Sequence, residues 1–285
     1  MAEFAILAFV LWLLLAGALE LGRALAVSQV LQTTARTAAR ELALAELPAG
    51  TSFADALRAA DVYDPDALAF DLDRLRSPAC AASLSVDPAV AEETYFARLP
   101  LVNRMLVPVM VRERVAVDGG ARELLRYPGA LLRAASPTSP CASGLTVAVP
   151  EVEAGQVRWL APVEELAGSS FGFDPGAPIR TGVAGLRIAY PFHAVSLSSW
   201  LRDDAASQAE GREVLRPESA DDGALSESNP ADRPGDPIDV AEPGPYAGRF
   251  GLGRQLVLGR EVRPFRRVLH AQASARRELF AADTP

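Results

Sequence analysis

Phe4 to Leu19 is a run of sixteen residues with neither a charge nor a hydroxyl. The apolar character continues through Leu21 and Leu25 to Val27. A helix that crosses a bilayer needs about 20 such residues. Phe4 to Val27 therefore reads as one membrane span, with Glu20 and Arg23 near its far interface. Glu3 stands at the head of the run. A carboxylate in low dielectric is costly alone, so an acid there asks for a cationic partner or for a place at the interface. Glu20 and Arg23 fall on one helical face and can pair with each other. The alternative is a plain exit from the bilayer, with Arg23 snorkelling to water. Gly17 and Gly22 are not four apart, so they do not form a small-xxx-small contact motif.

The helical pattern does not stop at the exit. Val27, Val30, Leu31, Thr34, Ala35, Ala38, Leu42 and Ala45 recur at three-to-four spacing, while Ser28, Gln29, Gln32, Arg36, Thr37, Arg40 and Glu41 cover the other face. That predicts an amphipathic helix continuing the span. Its apolar face is small and rich in Ala, so a neighbour can approach closely. The neighbour can be the chain's own domain or a bundle of identical helices. Pro48-Ala49-Gly50 is the predicted stop.

The order of these residues resembles the amino-terminal signature of the TadE family. The resemblance rests on Glu3-Phe4-Ala5, the apolar run, Gly17, Glu20-Leu21-Gly22-Arg23, Gln29, Leu31-Gln32 and Ala35-Arg36 through Ala39-Arg40. It is dense over residues 3–40 and returns in patches at Leu125-Arg126-Tyr127-Pro128-Gly129, Ala189-Tyr190-Pro191-Phe192 and Ala271–Glu278. The resemblance implies a minor pseudopilin-like subunit of the Tad tight-adherence (Flp-type) pilus machinery, with a pilin-like domain behind the helix. It implies as partners the lipid bilayer, other pilin-like subunits, the Tad assembly platform and a prepilin peptidase. It gives Glu3 the role of neutralising the amino terminus of a neighbouring subunit. It also implies a short basic leader, whereas only Met1-Ala2 precedes Glu3. The expectation is a chain near its mature form or a start assigned too late.

The rest of the chain predicts an α+β domain on an antiparallel sheet. Ser52-Phe53-Ala54-Asp55 opens a short helix to about Asp61, and Asp87-Pro88 opens another to about Arg98. Strands are expected at Ala67–Leu72, Val107–Val117, Leu145–Val149, Gln156–Leu160 and Val183–Tyr190, with Pro150 and Pro191 closing two of them. Leu256–Val262 and Arg267–Ala275 read as a final pair separated by Pro264. Residues 203–248 are different, mixing Asp203-Asp204, Asp221-Asp222, Glu227 and further acids with Pro, Gly and Ser. That composition buries too little surface to order itself. The organisation expected is thus a helix at 1–47, an α+β domain at 48–202, an acidic insertion at 203–248 and closing strands at 249–285.

The chain carries −8 net charge and uses Arg as its only strong base, with no Lys. No basic stripe dominates, which argues against nucleic acid as a partner. Cys80 and Cys141 each sit in a small-residue segment read as a loop, Ser77-Pro78-Ala79-Cys80 and Ser139-Pro140-Cys141. They can pair as a disulfide if the domain faces an oxidising compartment. With only His193 and His270 beside them, no metal-ligand spacing exists. No catalytic motif and no cofactor signature is found. Gly168-Ser169-Ser170-Phe171-Gly172 is not a nucleophile elbow, and Gly251-Leu252-Gly253 lacks the third glycine and the lysine of a phosphate loop. Glu164-Glu165 are adjacent and point apart, and Arg260, Arg263, Arg266 and Arg267 read as a solvated basic face. The expectation is a non-enzyme.

Three whole-protein readings follow. One is a TadE-like subunit anchored once in the inner membrane with a periplasmic or extracellular domain. The second is a secreted protein cut after Ala24-Leu25-Ala26, a small-x-small site. The third is a single-pass anchored protein unrelated to pili. Charge alone, through Arg23, Arg36 and Arg40, would keep the carboxyl side in the cytoplasm; the family pattern places it in the periplasm.

Overall fold

The computed structural model describes residues 2–45, 52–117, 120–133, 139–153, 156–166, 183–200, 226–227, 236–237, 255–257 and 260–276. The expected span and its amphipathic continuation form one unbroken helix, α1 (Ala2–Leu44). Its 43 residues contain no proline, are dominated by Ala and Leu, and extend for about 65 Å at 1.5 Å per residue. The helix ends at Leu44, and Pro48-Ala49-Gly50 lies outside the described residues.

A cluster of short helices follows, each started by a local cap. The Ser52 hydroxyl accepts from the Asp55 backbone N–H at the head of α2 (Phe53–Ala59). The first expected strand shrinks to β1 (Ala69–Asp71), because Asp71 caps α3 (Leu72–Leu75) by accepting from the Arg74 N–H. Ser77-Pro78-Ala79-Cys80 is not a loop. Ser77 caps α4 (Pro78–Leu84) and Pro78 takes its first position, where a missing N–H costs nothing. Asp87-Pro88 opens a 3-10 turn (Pro88–Val90) that leads into α5 (Ala91–Ala97). Then comes α6 (Leu101–Leu106), which no sequence signal marked. Asn103 on α6 is fully buried and satisfied: its amide donates to the Asp64 and Ala67 carbonyls at 2.7 Å each and accepts from the Asp64 N–H. A small core joins α3, α4 and α5, with Phe70 meeting Phe96 edge-on at 5.1 Å. The Cys80–Cys141 disulfide lies within it and links α4 to the turn just before the strand that begins at Leu145, with Cα atoms 4.8 Å apart.

The remaining strands are β2 (Val111–Val117), β3 (Gly120–Arg126), β4 (Ala130–Arg133), β5 (Leu145–Glu153), β6 (Gln156–Leu160), β7 (Val163–Glu165), β8 (Val183–Trp200), β9 (Ser226–Glu227), β10 (Asp236–Pro237), β11 (Gln255–Val257) and β12 (Arg260–Arg276). They make three sheets, ordered β1-β3-β2, β10-β4-β5-β6-β9 and β11-β12-β8-β7. Every pairing is antiparallel except β6 with β9. The fold is α+β, a long apolar helix followed by antiparallel sheets.

Three prolines do not act as the sequence predicted. Pro150 lies inside β5 opposite Trp159, and Pro191 inside β8 opposite Val268. Among the described strands each has a neighbour on one side only at that point, where a sheet tolerates a residue with no N–H. Pro264 does not divide two strands either. β12 passes through it as one strand of 17 residues, with a register shift between Arg263 and Phe265 that absorbs the lost donor. Glu164 and Glu165 do diverge, and Glu164 pairs across the sheet with Arg187. The acidic stretch 203–248 lies outside the described residues except at 226–227 and 236–237. Its flanks converge, because Trp200 pairs with Val262. Gly168–Gly172, Gly251–Gly253 and the side chains of His193, Arg260, Arg263 and Arg266 also lie outside what is described.

Candidate functional site

The second half of α1 lies along the β8–β12 pair and touches α6. Val27, Leu31, Thr34, Ala35, Ala38, Ala39, Leu42 and Ala43 are buried there, while Gln29, Thr33, Arg36, Arg40 and Glu41 face out. The choice left open by the sequence falls to the chain's own domain. The Ala stripe allows the close approach, and full burial of Leu31 and Leu42 contributes about 1.5–3 kcal/mol each. Thr34 is buried without cost to the contact, since its hydroxyl donates to the Val30 carbonyl one turn back at 2.8 Å. Gln32 adds a cross-link, its amide donating to the Gln272 carbonyl of β12 at 3.0 Å.

Beneath this contact residues from three distant stretches of the sequence come together. Tyr127 follows β3, is fully buried, and donates through its hydroxyl to the Ala189 carbonyl at 2.8 Å. Its ring meets Tyr190 edge-on at 5.4 Å, and Tyr190 donates to the Val109 carbonyl at 3.2 Å. Ala271 pairs with Ile188 beside them. The turn that presents Tyr127 depends on Gly129, whose φ is +149° and where an added Cβ would lie 2.5 Å from the Ala148 carbonyl oxygen. Buried Arg126 closes that turn by donating to the Gly129 carbonyl at 2.6 Å. Burial pushes the Tyr127 phenol well above its ordinary pKa. It pushes Tyr190 up to about 12, with Arg23 pulling slightly the other way. The Leu125–Gly129 patch was visible in the sequence, but nothing there revealed that Tyr127 would be the post on which β8 rests.

At the amino-terminal end of this seat the chemistry changes. Phe4, Leu7, Trp12, Leu15 and Leu19 are exposed, as are Leu21 and Leu25. By length and composition α1 is one helix able to cross a membrane. Glu20 is buried at 8% exposure and pairs with Arg23 one turn on at 3.5 Å. The Arg23 guanidinium lies 4.9 Å from the centre of the Phe192 ring, which ties the exit of the span to β8. Glu20 and Arg23 are thus brought together, whereas Glu3 stands exposed about 30 Å up the helix from Arg23. Gly17 and Gly22 meet nothing within 4 Å of an added Cβ. A groove of about 370 Å3 runs beside Arg23, between α1, residues 108–111 and Tyr190–Phe192. Cys80 and Cys141 belong to the helical cluster and take no part in this seat. His270 bonds Glu151 at 3.0 Å. Among the described residues no group of three His, Cys, Asp or Glu side chains could hold a metal ion.

The comparison with known families falls on the segment that carries the apolar run, its charged exit and most of the docked helix. Residues 1–40 match the model of the TadE-like protein family. The matched segment ends four residues before α1 does, so it covers the described helix as far as Arg40. No curated protein and no solved structure matches the chain. The TadE-like match associates the chain with the Tad pilus machinery, and α1 suits a single membrane anchor.

Proposed function

We propose that the chain is a minor pseudopilin, anchored once in the inner membrane, that helps start or tip a Tad-type pilus through subunit contacts and without catalysis. The observation that carries this is the division of labour along α1. Residues 4–15 are apolar and exposed on every face, and the second half is fixed to the domain by Leu31, Leu42 and the Ala stripe. A subunit that passes from a membrane to an assembly needs one stretch that lipid or neighbouring helices can cover and another that carries its head. The family resemblance supplies the partners: pilin-like subunits, the Tad platform and a prepilin peptidase. Glu3 then acts as the assembly acid, exposed at the end of the helix far from the domain.

The domain is assigned to the periplasmic or outer side. The Cys80–Cys141 disulfide supports that side, because such bonds persist in oxidising compartments. The arginine count points the other way. We give the disulfide more weight, since Arg23 is engaged by Glu20 and Phe192 within the fold.

Deleting the gene tests the assignment by counting surface pili. Loss is expected, with rescue by the wild-type chain and weaker rescue by Glu3→Ala; unchanged piliation on deletion would refute it. Mass spectrometry of the amino terminus, expressed with its full upstream region, tests the anchor separately. A start a few residues before Glu3 supports prepilin-type processing. A start at Val27 would make the apolar run a discarded signal.

A further inference from the structure

The head of the apolar run and the groove beside Arg23 lie on one molecule, about 30 Å apart along α1. Phe4, Leu7 and Leu11 fall on one helical face, and more than half of each is exposed. The groove is lined by Ala26, Val27 and Val30 of α1, by Val109 and Met110, and by Phe192 of β8. It opens at Ala26 and Pro108, both exposed. Its volume of about 370 Å3 is less than one turn of a helix about 10–12 Å across, so it admits the side chains of one helix face and not a whole helix. Arg23 at its edge is already engaged by Glu20 and Phe192. A second cation stands beside it. Arg267 is directly opposite Phe192 in the β8–β12 pair, so both side chains leave the same face of the sheet. Phe192 meets Arg23, so that face is the one α1 lies on. Arg267 is exposed there and has no acidic partner among the described residues. Glu3, at the head of the run, is likewise exposed and has no cationic partner among them.

An apolar helix face headed by an acid and an apolar groove flanked by a cation are complements. We propose that the groove receives Phe4, Leu7 and Leu11 of a second copy of this chain, with Glu3 of that copy against Arg267. The proposal rests on the pseudopilin reading above and names the surface by which one copy holds the next. The second copy stands parallel to the first and raised along the helix axis by about 30 Å, so that its Leu7 lies level with Ala26. At that height the head of its run has left the lipid. Apolar surface without lipid is costly in water, and the groove covers part of it. The run and the groove are different surfaces of the same molecule, so the contact is heterologous. It repeats in one direction, which is the geometry of an open filament.

The test places a photoreactive benzoylphenylalanine at position 7 of one tagged full chain, expressed in the native cells beside a second full chain with a different tag. Cross-linked residues are mapped by mass spectrometry. A product joining position 7 to residues 26–30 or 108–111 of the other copy is expected. Ala26→Trp in the receiving copy fills the groove from an exposed position and should reduce that product to background, with an unchanged thermal melt as the check on folding. Arg267→Glu in the receiving copy should reduce it about fivefold, the ratio one exposed ion pair supports, and Glu3→Arg in the donating copy should restore it. A product that survives Ala26→Trp overturns the groove contact. So does position 7 joined only to position 7 of the other copy, to lipid or to a different protein. In each of those cases the pseudopilin reading stands as long as deletion of the gene removes surface pili. Unchanged piliation on deletion refutes that reading, whatever position 7 touches.

Discussion

Tyr127→Phe isolates one hydrogen bond under the helix seat. The change keeps the ring, its edge-on contact with Tyr190 and the burial of Tyr127, and removes only the donor to the Ala189 carbonyl at 2.8 Å. A neutral bond of this kind contributes about 0.5–1.5 kcal/mol net, and a buried acceptor stranded without its donor costs about 1–3 kcal/mol. The Ala189 carbonyl lies on a fully buried residue, so the expected loss is about 1–2 kcal/mol. For a fold of this size each kcal/mol lowers Tm by about 2–4 °C, so the variant should melt about 2–8 °C below wild type. Tyr190→Phe is the internal comparison. Its bond to Val109 is longer at 3.2 Å and its residue keeps 8% exposure, so water can serve the stranded carbonyl and the loss should be smaller. Thermal melts of the full chain in detergent, followed by circular dichroism, measure both. Hydrogen exchange adds the location: amides at 188–192 should exchange faster in Tyr127→Phe. A melt within about 1 °C of wild type, or a larger loss for Tyr190→Phe, would refute the placing of Tyr127 as the post.

Other outcomes follow from neighbouring features. Gly129→Ala should destabilise more than Tyr127→Phe in the same melt, because its Cβ would collide with backbone at 2.5 Å. Leu31→Ala should cost about 2–5 kcal/mol by opening a cavity between α1 and the sheet, while Leu44→Ala at an exposed position should stay within about 0.5 kcal/mol; urea titration separates them. Reducing the Cys80–Cys141 bond, which spans 61 residues, should cost about 4 kcal/mol on the chain-entropy account, read by urea titration with and without reductant. Alkaline pH should unfold the chain through its buried phenols. Burial raises the pKa of Tyr63, Tyr127 and Tyr190 above 10.0, so the folded state holds protons that the unfolded state releases. Their contribution is full below pH 10 and falls above it by about 1.4 kcal/mol per pH unit for each phenol. Tyr190→Phe should make that slope shallower by one proton; an unchanged slope would count against the assignment.

The helix was legible because its signal is local and long. Sixteen uncharged residues followed by a three-to-four pattern leave few alternatives, and α1 follows that pattern to Leu44. Caps were legible at Ser52 and Asp87 for the same reason. Ser77-Pro78 carries an equally good start signal, yet the small residues after it suggested a loop; the cap chemistry decided the outcome. Prolines misled because their effect depends on what lies beside the strand. At Pro150 and Pro191 one side lacks a neighbour in the described sheets, and no sequence pattern records that. The seat was the least legible part. Tyr127, Ala189 and Ala271 are far apart in the chain, and only the register of β8 with β12 and the Tyr127 hydrogen bond to Ala189 unite them. Glu20 and Arg23 were readable as a pair, but the ring of Phe192 over which Arg23 lies was not.

That α1 continues unbroken from its exposed apolar stretch to the domain has a mechanical consequence. There is no hinge between Ala2 and Leu44, and the last five turns are locked by side-chain packing and by Gln32. Helix and head therefore move as a lever. For a helix seated in a bilayer, a tilt of about 10° would displace the far end of a rod about 65 Å long by about 11 Å. Force applied to the head likewise travels along the helix axis, with no slack linker to take it up. A change of bilayer thickness, or a pull from a neighbouring subunit, would thus be felt at the opposite end as rotation of the whole domain.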